Sequence, residues 1–283
     1  MPTATWDEWF VTDEIEGTTP DGVAIWYLGC NGFVLRSAET TIYIDPYFGT
    51  GVPKYVTRMI PVPIDPETVT ECDAVLASHE HLDHMHPPSF EPLLGEGVSV
   101  YGAEACFESP EYDGRLPAEE KRRVVSPGDA FSVGDFDIHV RGANDTDAEG
   151  DVSYVVEHEA GTFLHAGDSG PAEEFHEIGE AFDIDVGALA MGTTGNIYWP
   201  EVDEVRPTTW YMNENEVVDV ANALQLDRLL PTHYDMWKGV GADPTVLHNH
   251  AASFRYPRSI ECVEVGDRVD IDSPGIVPPH HLR

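Results

Sequence analysis

Positive charge is scarce in this sequence. It holds 15 Lys and Arg against 52 Asp and Glu, a formal net charge of −37, and its only lysines are Lys54, Lys121 and Lys238. No basic groove is legible, and this disfavours nucleic acid as a partner, because phosphate contacts need clustered Lys and Arg. Long apolar runs are missing too. No stretch of 18 or more apolar residues occurs, so no membrane span is expected. The acidic start "MPTATWDEWFVTDEIEG" lacks the apolar segment of a secretory signal. The four cysteines, Cys30, Cys72, Cys106 and Cys262, form no C-x-x-C pair. They read as isolated, mostly buried thiols of a reducing compartment, which makes a cytoplasmic location the expectation.

What is present argues for a folded protein. The acids are dispersed rather than gathered in a tail, and 41% of the chain is hydrophobic, with 11 Phe, 11 Tyr and 6 Trp. Such a charge repels itself in dilute buffer. Concentrated salt screens it, so the composition points to a halophilic cell with molar salt in its cytosol. The length suits one domain over 1–272, followed by a Pro-rich tail, 273–283, expected to be a loose end.

The first half reads as β-rich. Strands are expected over 23–29, 32–37 and 40–46, with Gly and Asn in the turns. The run "CDAVLASH" (72–79) reads as a strand buried on both faces, followed by strands at 98–103 and within 121–143, and by a hairpin at 152–157 and 161–166. The second half alternates: a strand at 182–191, a helix over 213–226 with Asn213 as N-cap and Glu216 three residues on, and a strand at 226–235 ending in His233. The fold class is α/β, with two mixed sheets packed together and helices outside.

The chemistry concentrates in "AVLASHEHLDHMH" (74–86). His79 and His81, two apart in an extended or turn segment, can point to one side and share an ion. Asp83 and His84 are offset and can hold a second ion a few ångströms away. Imidazole suits transition metals, and carboxylate adds hardness. The plainer alternative is a solvated, histidine-rich loop.

H-x-H-x-D-H behind an apolar strand resembles the signature of the metallo-β-lactamase superfamily. The resemblance implies a four-layer αβ/βα sandwich with two divalent metal ions at one edge of the sheets. Further blocks, "WYLGCNGFVLRS", "YIDPYFGTG", "LHAGDSG" and "LPTHYDMW", resemble the L-ascorbate-6-phosphate lactonase branch over about residues 14–244. Carried over, the pattern implies one metal on His79, His81 and Asp145, a second on Asp83, His84 and His233, and Asp168 as a bridge. Asp145 or Asn144 stands where many relatives have a third histidine, with mid-strand His139 as an alternative. Asp83, Asp168 and His233 are the candidate catalytic residues, serving a hydroxide formed between two cations.

Four residues are candidates for support or pocket roles: Asp45, which would orient the histidine loop, Asn31, His165 and Asp235. Asn196 and Tyr198 are expected in a loop opposite the site, and His86, His176, His248 and His250 at the surface. Asp145 in place of an imidazole makes the donor set richer in oxygen, which favours manganese, as the branch also implies, with zinc or iron as the alternatives. The expected substrate is a small molecule, a lactone or a phosphorylated carbohydrate-like ester, and the branch implies a homo-oligomer. The alternatives are a phosphodiesterase or nuclease on the same site, a di-iron redox protein, and a metal-binding protein without activity.

Overall fold

The computed structural model describes residues 4–52, 56–199 and 202–282. The apolar runs of the first half and the end of the chain form an 8-stranded sheet. Its spatial order is Ser273–Val277, Arg268–Asp270, Ala24–Gly29, Gly32–Arg36, Thr41–Ile44, Ala74–Ala77, Ser99–Gly102, Arg122–Val124. A 7-stranded sheet follows the order Ser259–Ile260, Arg228–Thr232, Val186–Ala190, Gly161–His165, Val152–His158, Phe136–Gly142, Ala130–Val133. Each sheet is mixed. Hairpin-connected strands pair antiparallel, whereas strands joined by longer crossovers, such as Thr41–Ile44 with Ala74–Ala77 and Val186–Ala190 with Arg228–Thr232, pair parallel.

The principal core lies between the sheets. Phe33, Leu35 and Ile44 of the first are fully buried with Val140, Tyr154 and Phe163 of the second. Phe33 packs edge-on against Phe163 with ring centroids 5.4 Å apart, and the Tyr154 hydroxyl donates across the gap to the Ala77 carbonyl at 2.8 Å. A second apolar layer covers the outer face of the 7-stranded sheet: Phe175 and Ile178 of the helix Glu174–Ala181, and Val217, Val218 and Ala221 of the helix Glu214–Ala223, lie against Leu164, Leu189 and Leu229. Asn213 caps the latter helix as its sequence predicts, accepting from the Glu216 N–H while the Glu216 carboxylate accepts from the Asn213 N–H. The result is the αβ/βα sandwich.

The structure corrects three expectations. The tail from 273 is not a loose end. Ser273–Val277 closes one edge of the large sheet, and His281 lies against Trp9 at 4.6 Å. The segment with Asn196 and Tyr198 is a strand, Thr194–Trp199, paired antiparallel with Glu204–Thr209 in a separate hairpin. His86 is half-buried against Tyr47 and Tyr112, its Nδ1 2.6 Å from the Ser89 hydroxyl.

Candidate metal centre

Strand ends build the site. Asp45 follows Thr41–Ile44, His79 follows Ala74–Ala77, Asp145 follows Phe136–Gly142, Asp168 follows Gly161–His165 and His233 follows Arg228–Thr232. Side chains therefore leave both sheets at their carboxyl ends and converge on one edge, the position where open α/β sheets take ligands. Two backbone features make the convergence possible. Gly167 adopts φ +61°, which turns the chain so that Asp168 faces inward. Cys30, Asp45 and His233 hold φ values of 60°, 45° and 64°, a conformation that costs a non-glycine residue of order 1–3 kcal/mol and persists only when its surroundings fix it.

The donors fall into two groups. In the first, His79 Nε2 stands 2.9 Å from His81 Nδ1, and these lie 3.5 and 3.4 Å from Asp145 Oδ2. In the second, Asp83 Oδ2 stands 3.1 Å from His233 Nε2 and 3.7 Å from His84 Nε2. Asp168 Oδ2 lies between them, 3.0 Å from His84, 3.4 Å from His233 and 4.0 Å from His79. Donors sharing one ion at about 2.1 Å stand about 3.0–3.4 Å apart in octahedral or tetrahedral arrangements. Six of the eight spacings fall within about 0.1 Å of that range, and only Asp83–His84 at 3.7 Å and His79–Asp168 at 4.0 Å are wider, so the residues fit two divalent ions with Asp168 placed between them.

Burial and close charges shift these donors in different directions. Burial drives His79 well below the ordinary histidine range, helped by the neighbouring His84 and His81. Burial also pulls His84 down, but Asp168, Asp45 and Asp83 outweigh it and hold the ring well above that range. Burial, with Asp168 nearby, pushes Asp145 up to about 6. Asp83 moves the other way: burial opposes ionisation, but His84 and His233 hold its carboxyl well below the usual range. Bound cations would relieve the repulsion among these carboxylates.

The supporting residues lie behind the donors. Asp45 accepts from the Ser78 N–H at 2.7 Å and the Ser78 hydroxyl at 2.6 Å, and sits 2.7 Å from His84 Nδ1. With Nδ1 engaged there, Nε2 of His84 faces the site. Asn31 donates to the Gly167 carbonyl at 2.7 Å and to Asp168 Oδ1 at 3.3 Å, and accepts from the Thr232 hydroxyl at 2.9 Å, so it ties together the two turns that carry Asp168 and His233. His165 donates from Nε2 to the Asn31 carbonyl at 2.8 Å and acts through it.

Other candidates lie elsewhere. Asp235 does not reach the cluster; it stands apart, its carboxyl raised by burial. His139 pairs with Glu157 across the sheet at 2.7 Å. Asn144 holds Ser169 and Pro171 rather than joining the donors. One neighbour was not among the expected donors. Cys30 Sγ lies 3.1 Å from Asp83 Oδ2 and 3.3 Å from His233 Nε2.

The site opens onto a cavity of about 600 Å³, lined at its floor by His81, Asp83, Asp145 and Asp168. Its upper wall is aromatic: Trp199 and Trp210 around the hairpin, Tyr211, and Trp237 after His233. Tyr211 stacks on the His233 ring at 4.1 Å.

Residues 40–234 match the profile of the "Beta-lactamase superfamily domain". The chain belongs to the metallo-β-lactamase superfamily. It is UlaG-like: the "Probable L-ascorbate-6-phosphate lactonase UlaG" of Escherichia fergusonii is 27% identical over 285 residues, covering 84% of this chain and 77% of that protein. Solved structures share the fold. Igni18, a metallo hydrolase of Ignicoccus hospitalis, superposes with a TM-score of 0.67 at 18% identity, over 88% of this chain and 97% of its own. The metallo-β-lactamase fold protein YhfI of Bacillus subtilis does so with a TM-score of 0.59 at 17% identity, over 88% and 99%.

Proposed function

We propose that the chain is a hydrolase that uses two divalent metal ions to open a lactone or cleave a small carbohydrate-like ester. The curated relatives are named as a probable lactonase and structural neighbours include a metallo hydrolase, which supports an enzyme of hydrolase type. The observation that carries the reading is the pair of donor groups joined at Asp168 and open to one cavity. Two ions held there would supply a water acidified towards neutral pH. The chain's own part is positional. Asp45 and Ser78 fix the histidine rings, and Asn31 holds the Asp168 turn. The stacked Tyr211 and His233 close one side of the floor against solvent. Four of the seven donors are imidazoles and three are carboxylates, and we assign manganese as the working metal, since carboxylate oxygen suits it.

We further infer a small-molecule enzyme of the cytoplasm, working in concentrated salt, because of the net charge of −37. Among the described residues, no helix is long and apolar enough to cross a membrane. The deciding assay is hydrolysis in molar KCl with added Mn²⁺, with sugar-derived lactones in one arm and bis-p-nitrophenyl phosphate in the other. Lactone turnover that disappears in Asp168→Ala supports the reading. Diester turnover with silent lactones replaces it with a phosphodiesterase on the same scaffold.

A further inference from the structure

The substrate name of the curated relatives carries a phosphate, and the cavity of this chain is poorly made for one. Six carboxylates face it. Asp83, Asp145 and Asp168 belong to the donor groups; Glu111, Asp147 and Glu216 do not. These six outnumber the four positive charges that two divalent ions would bring. No lysine or arginine lines the cavity among the described residues. Arg58 is buried close by, but it spends its donors on the carbonyls of Leu28, Tyr47, Ile60 and Pro61, which holds the guanidinium against the backbone. Lys54 lies outside the described residues.

A phosphate dianion entering this cavity would give up water next to three carboxylates that no metal neutralises. Like charges juxtaposed in a partly enclosed site cost selectivity for that partner. The aromatic wall suits a different guest. Flat faces of Trp199, Trp210 and Trp237 can cover the C–H side of a ring, and the carboxylates at the mouth can accept from its hydroxyls. Glu111 and Asp147 are exposed, so they meet the guest at the entrance.

The geometry points to an uncharged, hydroxylated lactone ring as the substrate class, with Glu111 and Asp147 selecting against a phosphorylated counterpart. This rests on the hydrolase reading above and narrows it.

The test uses the Mn²⁺-loaded protein in 0.5 M and 3 M KCl, with a hexono-1,4-lactone and its 6-phosphate as a pair. The expected result is a kcat/KM at least ~10-fold higher for the unphosphorylated lactone in 0.5 M KCl, a ratio that shrinks in 3 M KCl as screening grows. Glu111→Gln and Asp147→Asn, singly and together, should each shift the ratio towards the phosphorylated lactone. A higher kcat/KM for the 6-phosphate, or a ratio that neither variant moves, overturns the inference.

If neither lactone turns over, the hydrolase reading fails for that chemistry, and binding decides the charge question alone. The corresponding lactam and its 6-phosphate are then titrated against the tryptophan fluorescence of the cavity wall. Tighter binding of the uncharged lactam upholds the inference; tighter binding of the phosphate, or binding of neither, overturns it.

Discussion

Asp45 lies off the cavity wall, yet the order of the site runs through it. Its two oxygens take the Ser78 N–H, the Ser78 hydroxyl and the Nδ1 side of His84, all within 2.7 Å. Asp45→Asn keeps the shape but replaces one acceptor oxygen with a donor, so His84 loses the partner that fixes its ring. Changes of this kind behind metal ligands cost roughly 10–100-fold in metal affinity. Competition with a chelator should show a loss of that size; unchanged affinity would mean that Asp45 only closes a turn.

Asp145 gives a pH prediction. Burial and Asp168 raise it from 3.8 to about 6 in the metal-free protein. A carboxyl raised on folding contributes stability that is complete below its unfolded pKa and lost as pH rises through its folded value. The metal-free protein should therefore lose part of its Tm between about pH 4 and pH 6, and Asp145→Asn should lack that part. Melts of both chelated proteins in molar KCl check this, and parallel curves would sink it. The histidine motif was legible because its donors are neighbours in sequence. Cys30 was not, since 53 residues separate it from Asp83 and the fold alone brings them together.

At the scale of elements, legibility followed burial. Ala24–Gly29, Gly32–Arg36 and Ala74–Ala77 are buried along their whole length, and their unbroken apolar runs announced them. The hairpin Thr194–Trp199 with Glu204–Thr209 is largely exposed, and Gly195, Asn196 and Pro207 interrupt its pattern, so the aromatic wall it carries gave no strand signal. The edge strand Ser273–Val277 was hidden in the same way by Pro274 and Gly275, residues that edges tolerate. The helix Glu214–Ala223 was found because its cap is written locally. Asn213→Ala removes the acceptor for the N–H groups of Asn215 and Glu216. It should cost about 1 kcal/mol in denaturant unfolding, and a change near zero would assign the helix start to packing alone.

For the whole molecule, charge is the governing term. The net charge of −37 loads the folded state with repulsion that the unfolded chain can dilute by expanding. Specific pairs offset little of it. Among the described residues Arg228 is the buried exception, bound through two nitrogens to Glu261 at 3.0 and 2.8 Å and also to the Asp270 carbonyl, so it joins the two sheets. Exposed pairs such as Arg206 with Glu204 contribute about 0–1 kcal/mol each. Screening must do the rest. The Debye length falls from about 8 Å at 0.15 M to about 3 Å at 1 M, so most of the relief should arrive below about 1 M salt. The Tm should rise steeply with KCl over that range and flatten above it, with NaCl of equal ionic strength giving the same curve. A Tm indifferent to salt would remove self-repulsion as the dominant cost. A continued rise above 1 M that differs between the two salts would mean that the acidic surface binds hydrated cations specifically rather than merely being screened by them.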